Sequence, residues 1–147
     1  MRKVGENLAA EICGNPRKIP RDSALVLALS GELGAGKTTF LQGFARGLGI
    51  AEVVNSPTFV IMKKFEIVRS PTPHNFKNFY HFDLYRLEDQ KDFEFFNSKE
   101  ILADPKNIVA IEWPKKIASM LPKEVISINF IHKNSTERVL NITGQGL

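Results

Sequence analysis

Gly31-Glu32-Leu33-Gly34-Ala35-Gly36-Lys37-Thr38 constrains this chain more than any other segment. It matches G-x-x-x-x-G-K-[ST] at every fixed position. Before it lies a short continuous apolar run, Ala24 to Leu29 (ALVLAL), as expected of a buried parallel strand. After it, Thr38 to Leu48 reads as a helix, with Phe40, Leu41, Phe44, Ala45 and Leu48 on one face and Gly49 just past its end. Strand, glycine-rich turn and helix in that order make a phosphate cradle. Glycines let main-chain N–H groups come close to phosphates. The helix start adds about half a unit of positive charge, and Lys37 adds a full, mobile one. The Thr38 hydroxyl is placed to ligate Mg²⁺. Glu32, Leu33, Gly34, Ala35, Gly36 and Thr39 complete the expected nucleotide-binding set, although Thr39 also suits a capping or packing role.

Around the cradle the pattern alternates. Val4, Leu8 and Ile12 predict a first helix to Cys13, stopped by Gly14-Asn15-Pro16. Ser56-Pro57-Thr58 breaks the chain before an apolar stretch, Phe59 to Met62. Residues 66–78, polar with two prolines, read as a surface loop. Phe79 to Leu87 is strand-like, with His81, Asp83 and Tyr85 pointing one way. Residues 88–103 have helical spacing. Ile108 to Ile111 is a second buried strand, ended by Glu112-Trp113-Pro114, and Lys115 to Leu121 reads as a short helix. Val125 to Ile131 and Arg138 to Ile142 read as a closing antiparallel pair. The expectation is an α/β fold: a P-loop NTPase-like three-layer sandwich, its central sheet mainly parallel with a C-terminal antiparallel extension, forming a single domain over residues 1–147.

A cradle of this kind works with an acid at the end of a neighbouring hydrophobic strand. Glu112, directly after IVAI, is the first choice for the metal-side acid, with Thr38 as the other metal ligand. Asp83, ending FYHFD, is its competitor, and also a candidate for orienting the attacking water or for a salt bridge with Arg86. Lys37, Asp83 and Glu112 form the expected catalytic set. No Asn-Lys-x-Asp guanine reader occurs, which favours ATP over GTP. Trp113 either lines the nucleotide pocket or anchors the core. Charge agrees with a polyanionic ligand: residues 1–80 hold 11 Lys/Arg against 6 Asp/Glu, whereas residues 81–147 hold 9 against 10. A single cysteine and the absence of any long apolar run point to a cytoplasmic protein without membrane association.

Four strings in order, GELGAGKTTF, SPTF, HFDLYRL and IEWP, resemble the TsaE family, P-loop ATPases of bacterial tRNA modification. The likeness spans about residues 5–144. It implies a role in forming N6-threonylcarbamoyladenosine next to the anticodon, acting on a TsaB–TsaD complex without transferring the carbamoyl group. By that resemblance, ATP and Mg²⁺ are the cofactors and tRNA is engaged only indirectly. Lys37 holds phosphates, Thr38 and Glu112 hold the metal, Asp83 and Trp113 border the nucleotide, and Ser56 to Phe59, with Thr58 sensing the terminal phosphate, acts as a switch. The sequence departs from the family at Lys115, where an acid commonly follows EWP, and in the 66–78 loop.

Two other classes compete. A small-molecule kinase shares the cradle but normally has paired lid arginines, where the 66–78 loop offers only Arg69. A nucleotide-dependent adaptor binds ATP without hydrolysing it. Hydrolysis by the isolated chain, expected to be a monomer, is predicted to be weak. The sequence shows no obvious arginine finger, a part worth about 10³- to 10⁵-fold in rate. Arg86 is the best internal candidate.

Overall fold

Six apolar or alternating runs pair into one sheet in the computed structural model, which describes residues 1–15, 22–57, 59–68 and 74–144. The strands are β1 (Leu25–Ser30), β2 (Met62–Glu66), β3 (Asn78–Asp83), β4 (Asn107–Glu112), β5 (Val125–His132) and β6 (Arg138–Thr143). Their order is β2-β3-β4-β1-β5-β6. Strand β1 runs parallel to both β4 and β5, and β3 runs parallel to β4. The expected antiparallel pair, β5 with β6, closes one edge, and β2 adds an antiparallel strand at the other.

Burial explains why β1 is continuously apolar. Leu25, Leu27 and Leu29 face one core, and Ala24 and Val26 face the other. Helices α1 (Arg2–Gly14) and α2 (Lys37–Gly47) pack on the first face through Leu8, Ile12, Phe40, Leu41 and Phe44. The second face is covered by α3 (Gln90–Glu94), α4 (Ser98–Ala103) and a 3₁₀ segment, Pro114–Met120, through Phe93, Ile101, Leu102 and Ile117. The α/β three-layer sandwich is therefore present. Among the described residues, no helix is long and apolar enough to cross a membrane.

The α1–α2 contact depends on a missing side chain. A Cβ added at Gly43 would stand 1.9 Å from the Arg2 carbonyl oxygen, so any substitution pushes α1 away from α2. Gly43→Ala is expected to lower unfolding stability by about 2–3 kcal/mol, read from a denaturant titration. A change under about 0.5 kcal/mol would show that the contact yields freely.

Several local expectations are corrected. The strand near the SPTF string is Met62–Glu66, whereas Phe59 and Val60 are exposed turn residues. Only Phe65 of that strand is buried, which is why its apolar signal is weak. The 66–78 segment is shorter as a loop than expected: Glu66 belongs to β2, Asn78 to β3, and Phe76 is buried. Strand β3 ends at Asp83, and Tyr85 sits in the following turn. The 88–103 segment splits into α3 and α4 because Asn97 takes a left-handed backbone, φ 53°, that stops one helix and begins the next. The Lys115–Leu121 helix is the 3₁₀ segment beginning at Pro114. Pro16, Thr58 and Arg69 lie outside the described residues.

Candidate functional site

Three elements end at one point. Strand β1 runs into the glycine-rich loop, the loop turns into α2, and β3 and β4 finish beside it in parallel register, Asp83 opposite Glu112. Gly36 makes the final bend at φ 102°, a left-handed backbone that a side chain resists. That bend places the first N–H groups of α2, together with Lys37 and Thr38, at the C-terminal edge of the sheet, where ligands of open α/β sheets bind. The resulting cavity, about 380 Å³, is lined by Leu33, Gly34, Gly36, Lys37, Thr38 and Thr39, by Ser56, Asp83 and Tyr85, and by Glu112 and Trp113.

The charges in it are held by hydrogen bonds. Lys37 Nζ donates to the carbonyls of Gly31 at 2.7 Å and Glu32 at 2.8 Å. Its ammonium stands 4.7 Å from the centre of the Trp113 ring. Burial pushes the Lys37 pKa below the ordinary lysine value, and the carboxylates of Glu112 and then Asp83 oppose that shift. Asp83 accepts from the Ser56 hydroxyl at 2.7 Å and from the Tyr85 backbone N–H at 3.0 Å. Glu112 Oε1 lies 2.8 Å from His81 Nε2, and both side chains are buried.

Two strained residues flank the cavity. Trp113 has φ 62° and ψ 49°, a left-handed conformation costing roughly 1–2 kcal/mol, which re-aims its ring across the end of β4 toward Lys37 and Tyr85. Ile61 has φ 65°, unusual for a β-branched residue. Its N–H donates to the Pro57 carbonyl at 2.6 Å and its carbonyl accepts from Asp83 N–H at 2.9 Å, so the Ser56-Pro57 turn is tied to the end of β3.

Most of the sequence-predicted residues meet here. Leu33, Gly34, Gly36, Lys37, Thr38, Thr39, Asp83, Glu112 and Trp113 share the cavity. Ala35 is turned into the core. Glu32 contributes its carbonyl to Lys37 and borders a neighbouring cavity beyond Trp113. Trp113 lines the cavity and packs on the second core. Arg86 holds its guanidinium over the Phe59 ring, 4.6 Å from its centre, and no ion pair joins it to Asp83. Sequence reasoning passed over the partnership of His81 with Glu112. The only available signal was its place two residues before Asp83 on the same strand face.

Chemically, an ammonium, a helix start and a hydroxyl face two carboxylates. Polyphosphate oxygens suit the first group, and a hard divalent cation suits the hydroxyl with a carboxylate. No group of three or more His, Cys, Asp or Glu side chains is clustered for a metal among the described residues. Magnesium needs none, since it takes one or two protein oxygens and fills its shell from phosphates and water.

Comparison with known proteins gives the family and the fold. Residues 1–140 match the family described as "Threonylcarbamoyl adenosine biosynthesis protein TsaE". The TsaE protein of Bacillus subtilis (strain 168) is 38% identical over 125 residues, 82% of this chain and 70% of that protein. The TsaE protein of Borreliella burgdorferi is 42% identical over 106 residues, 71% of this chain and 72% of its own. The crystal structure of Bacillus subtilis YdiB superimposes with a TM-score of 0.66 at 27% identity, covering 99% of this chain and 82% of that one.

Proposed function

Because the chain belongs to the TsaE family, which serves threonylcarbamoyladenosine biosynthesis on tRNA, we propose that it binds ATP with magnesium and hydrolyses it to drive a TsaB–TsaD complex through its cycle. One observation supports this reading above the others: Lys37 and Thr38, at the start of α2, share a cavity with two adjacent strand-end carboxylates, Asp83 and Glu112.

The roles follow from position. Main-chain N–H groups of residues 34–39 bind the phosphates, and Lys37 exchanges the Gly31 and Glu32 carbonyls for phosphate oxygens. Thr38 and Glu112 would hold the magnesium ion. That ion, when bound, neutralises charge on the phosphate oxygens. Asp83, fixed by Ser56 and Tyr85 N–H, orients the attacking water and takes its proton, with hydrogen-bond reach as the requirement. Ser56-Pro57, bonded to Asp83, carries the state of the site to the exposed Phe59 and Val60 beside it. Trp113 closes the cavity wall, covering Lys37. The reaction site is the cytoplasm, and tRNA is reached through the partner complex.

Arg86, the internal candidate for an arginine finger, lies over the Phe59 ring and is not among the residues that line the cavity. Turnover of ATP is therefore expected to be slow alone and to rise by at least about tenfold with TsaB–TsaD, against the ceiling of about 10³- to 10⁵-fold that a supplied arginine can give. A phosphate-release assay with and without the partner complex tests this. Equal rates would remove partner gating from the proposal.

A further inference from the structure

We infer that His81 is a positioning residue for Glu112: it pins one carboxylate oxygen so that the other is presented to the magnesium ion. This rests on the proposed reading of Glu112 as the metal-side acid. His81 is fully buried on β3, two residues before Asp83 and on the same face. Its Nε2 lies 2.8 Å from Glu112 Oε1 across the β3–β4 pair, while its Nδ1 is buried with no hydrogen-bond partner.

That asymmetry fixes the proton. With the hydrogen on Nε2, the ring donates to the carboxylate and leaves only a lone pair unmet at Nδ1. The other tautomer would bury an unpaired N–H and turn two acceptor lone pairs toward each other. A stranded Nδ1 is a cost that an apolar side chain would avoid at this position, in a face otherwise filled by Phe79, Ile108 and Ala110. Packing alone therefore does not account for a histidine here, whereas orienting a carboxylate does. His81 stands opposite Ala110 in the parallel register, and that small neighbour sits two residues before Glu112. With Oε1 held by His81, Glu112 keeps a second carboxylate oxygen for a ligand in the cavity that it lines together with Lys37 and Thr38. Outer partners of metal-binding groups usually contribute in this way, by removing rotamer choice before the ion arrives.

The test compares three variants in the full chain. The side-chain amide nitrogen of glutamine falls close to the position of a histidine Nε2, and that of asparagine falls close to Nδ1. His81→Gln should therefore still donate to Glu112, whereas His81→Asn and His81→Leu should not. Binding of a fluorescent ATP analogue is titrated against magnesium, with thermal melts as a control for folding. The magnesium concentration giving half-maximal tightening is expected to rise about 10- to 100-fold in the Asn and Leu variants and to stay close to wild type in the Gln variant. Magnesium-free affinity should be alike in all. If the Leu variant fails to fold, the Asn–Gln pair still decides. Equal magnesium requirements in Asn and Gln variants would overturn the inference, because a purely structural histidine would move both together. Wild-type affinity indifferent to magnesium would overturn the proposed function as well, a failure recognisable without any variant.

Discussion

Replacing Lys37 with methionine is expected to weaken ATP binding by about 100- to 10,000-fold while leaving a folded protein, measured by equilibrium titration beside a thermal melt. The magnitude follows from losing about two charge-assisted hydrogen bonds, each worth roughly 1.5–3 kcal/mol, at 1.4 kcal/mol per factor of ten. The folded state should not suffer, because burying the ammonium carries a desolvation cost that its removal relieves. Burial outweighs the pull of Glu112 and Asp83, and the Lys37 pKa is lowered from 10.5. The sign of the pH effect is fixed by that direction. The unfolded chain binds the proton more tightly, so wild type carries the full penalty below the lowered pKa and sheds it as pH rises toward 10.5. The methionine variant never carries it. Its stability relative to wild type should therefore be most favourable near neutral pH and should decline on the alkaline side. Parallel melts from neutral to alkaline pH read this difference. A variant that is uniformly less stable at every pH would mean that the bonds to the Gly31 and Glu32 carbonyls outweigh the burial of the charge.

The same lysine shows what a sequence can and cannot reveal. Its place after Gly36 and before a helical apolar face was legible, since strand, turn and helix are contiguous and each has its own local signal. What surrounds it was harder to read. Asp83 and Glu112 are separated by many residues, and only the parallel register of β3 on β4 makes them neighbours. The sequence identified both as strand-end acids without showing that they stand side by side. Strand β2 carries little signal because an edge strand with alternating Lys64, Phe65 and Glu66 has little apolar content, whereas the apolar stretch before it begins with the turn residues Phe59 and Val60. The exposure of those two residues reversed the usual inference from hydrophobicity. Asn97 and Trp113 adopt left-handed backbones that no periodicity predicts, and each redirects the chain where a longer helix or an ordinary strand end was expected. The pairing of His81 with Glu112 was invisible for the same reason as the carboxylate pair: it crosses between strands.

Glu112→Gln is expected to retain most ATP binding and to lose about 10²- to 10³-fold of the magnesium-dependent hydrolysis measured with TsaB–TsaD present, the size of effect seen when one group stabilising reaction charge is removed. The substitution preserves volume and leaves an amide oxygen to accept from His81 Nε2, so packing in the buried pair survives. What disappears is a negative charge that lines the cavity and draws Lys37 toward its ammonium form. Asp83→Asn is the necessary companion, because the two acids stand in register and line one cavity. Asp83 has its two oxygens engaged by Ser56 and by Tyr85 N–H, whereas Glu112 shows one engaged oxygen, which favours Glu112 as the ion's ligand and Asp83 as the group that handles water. The two assignments separate by magnesium dependence. Loss of the metal-side acid should raise the magnesium requirement along with lowering the rate. Loss of the water-orienting acid should lower the rate at an unchanged requirement. If the Gln variant hydrolyses normally and the Asn variant demands more magnesium, the roles are exchanged: the buried bond from His81 then serves the core rather than the ion, and the latch between Ser56 and Asp83 becomes a contact that magnesium binding must break.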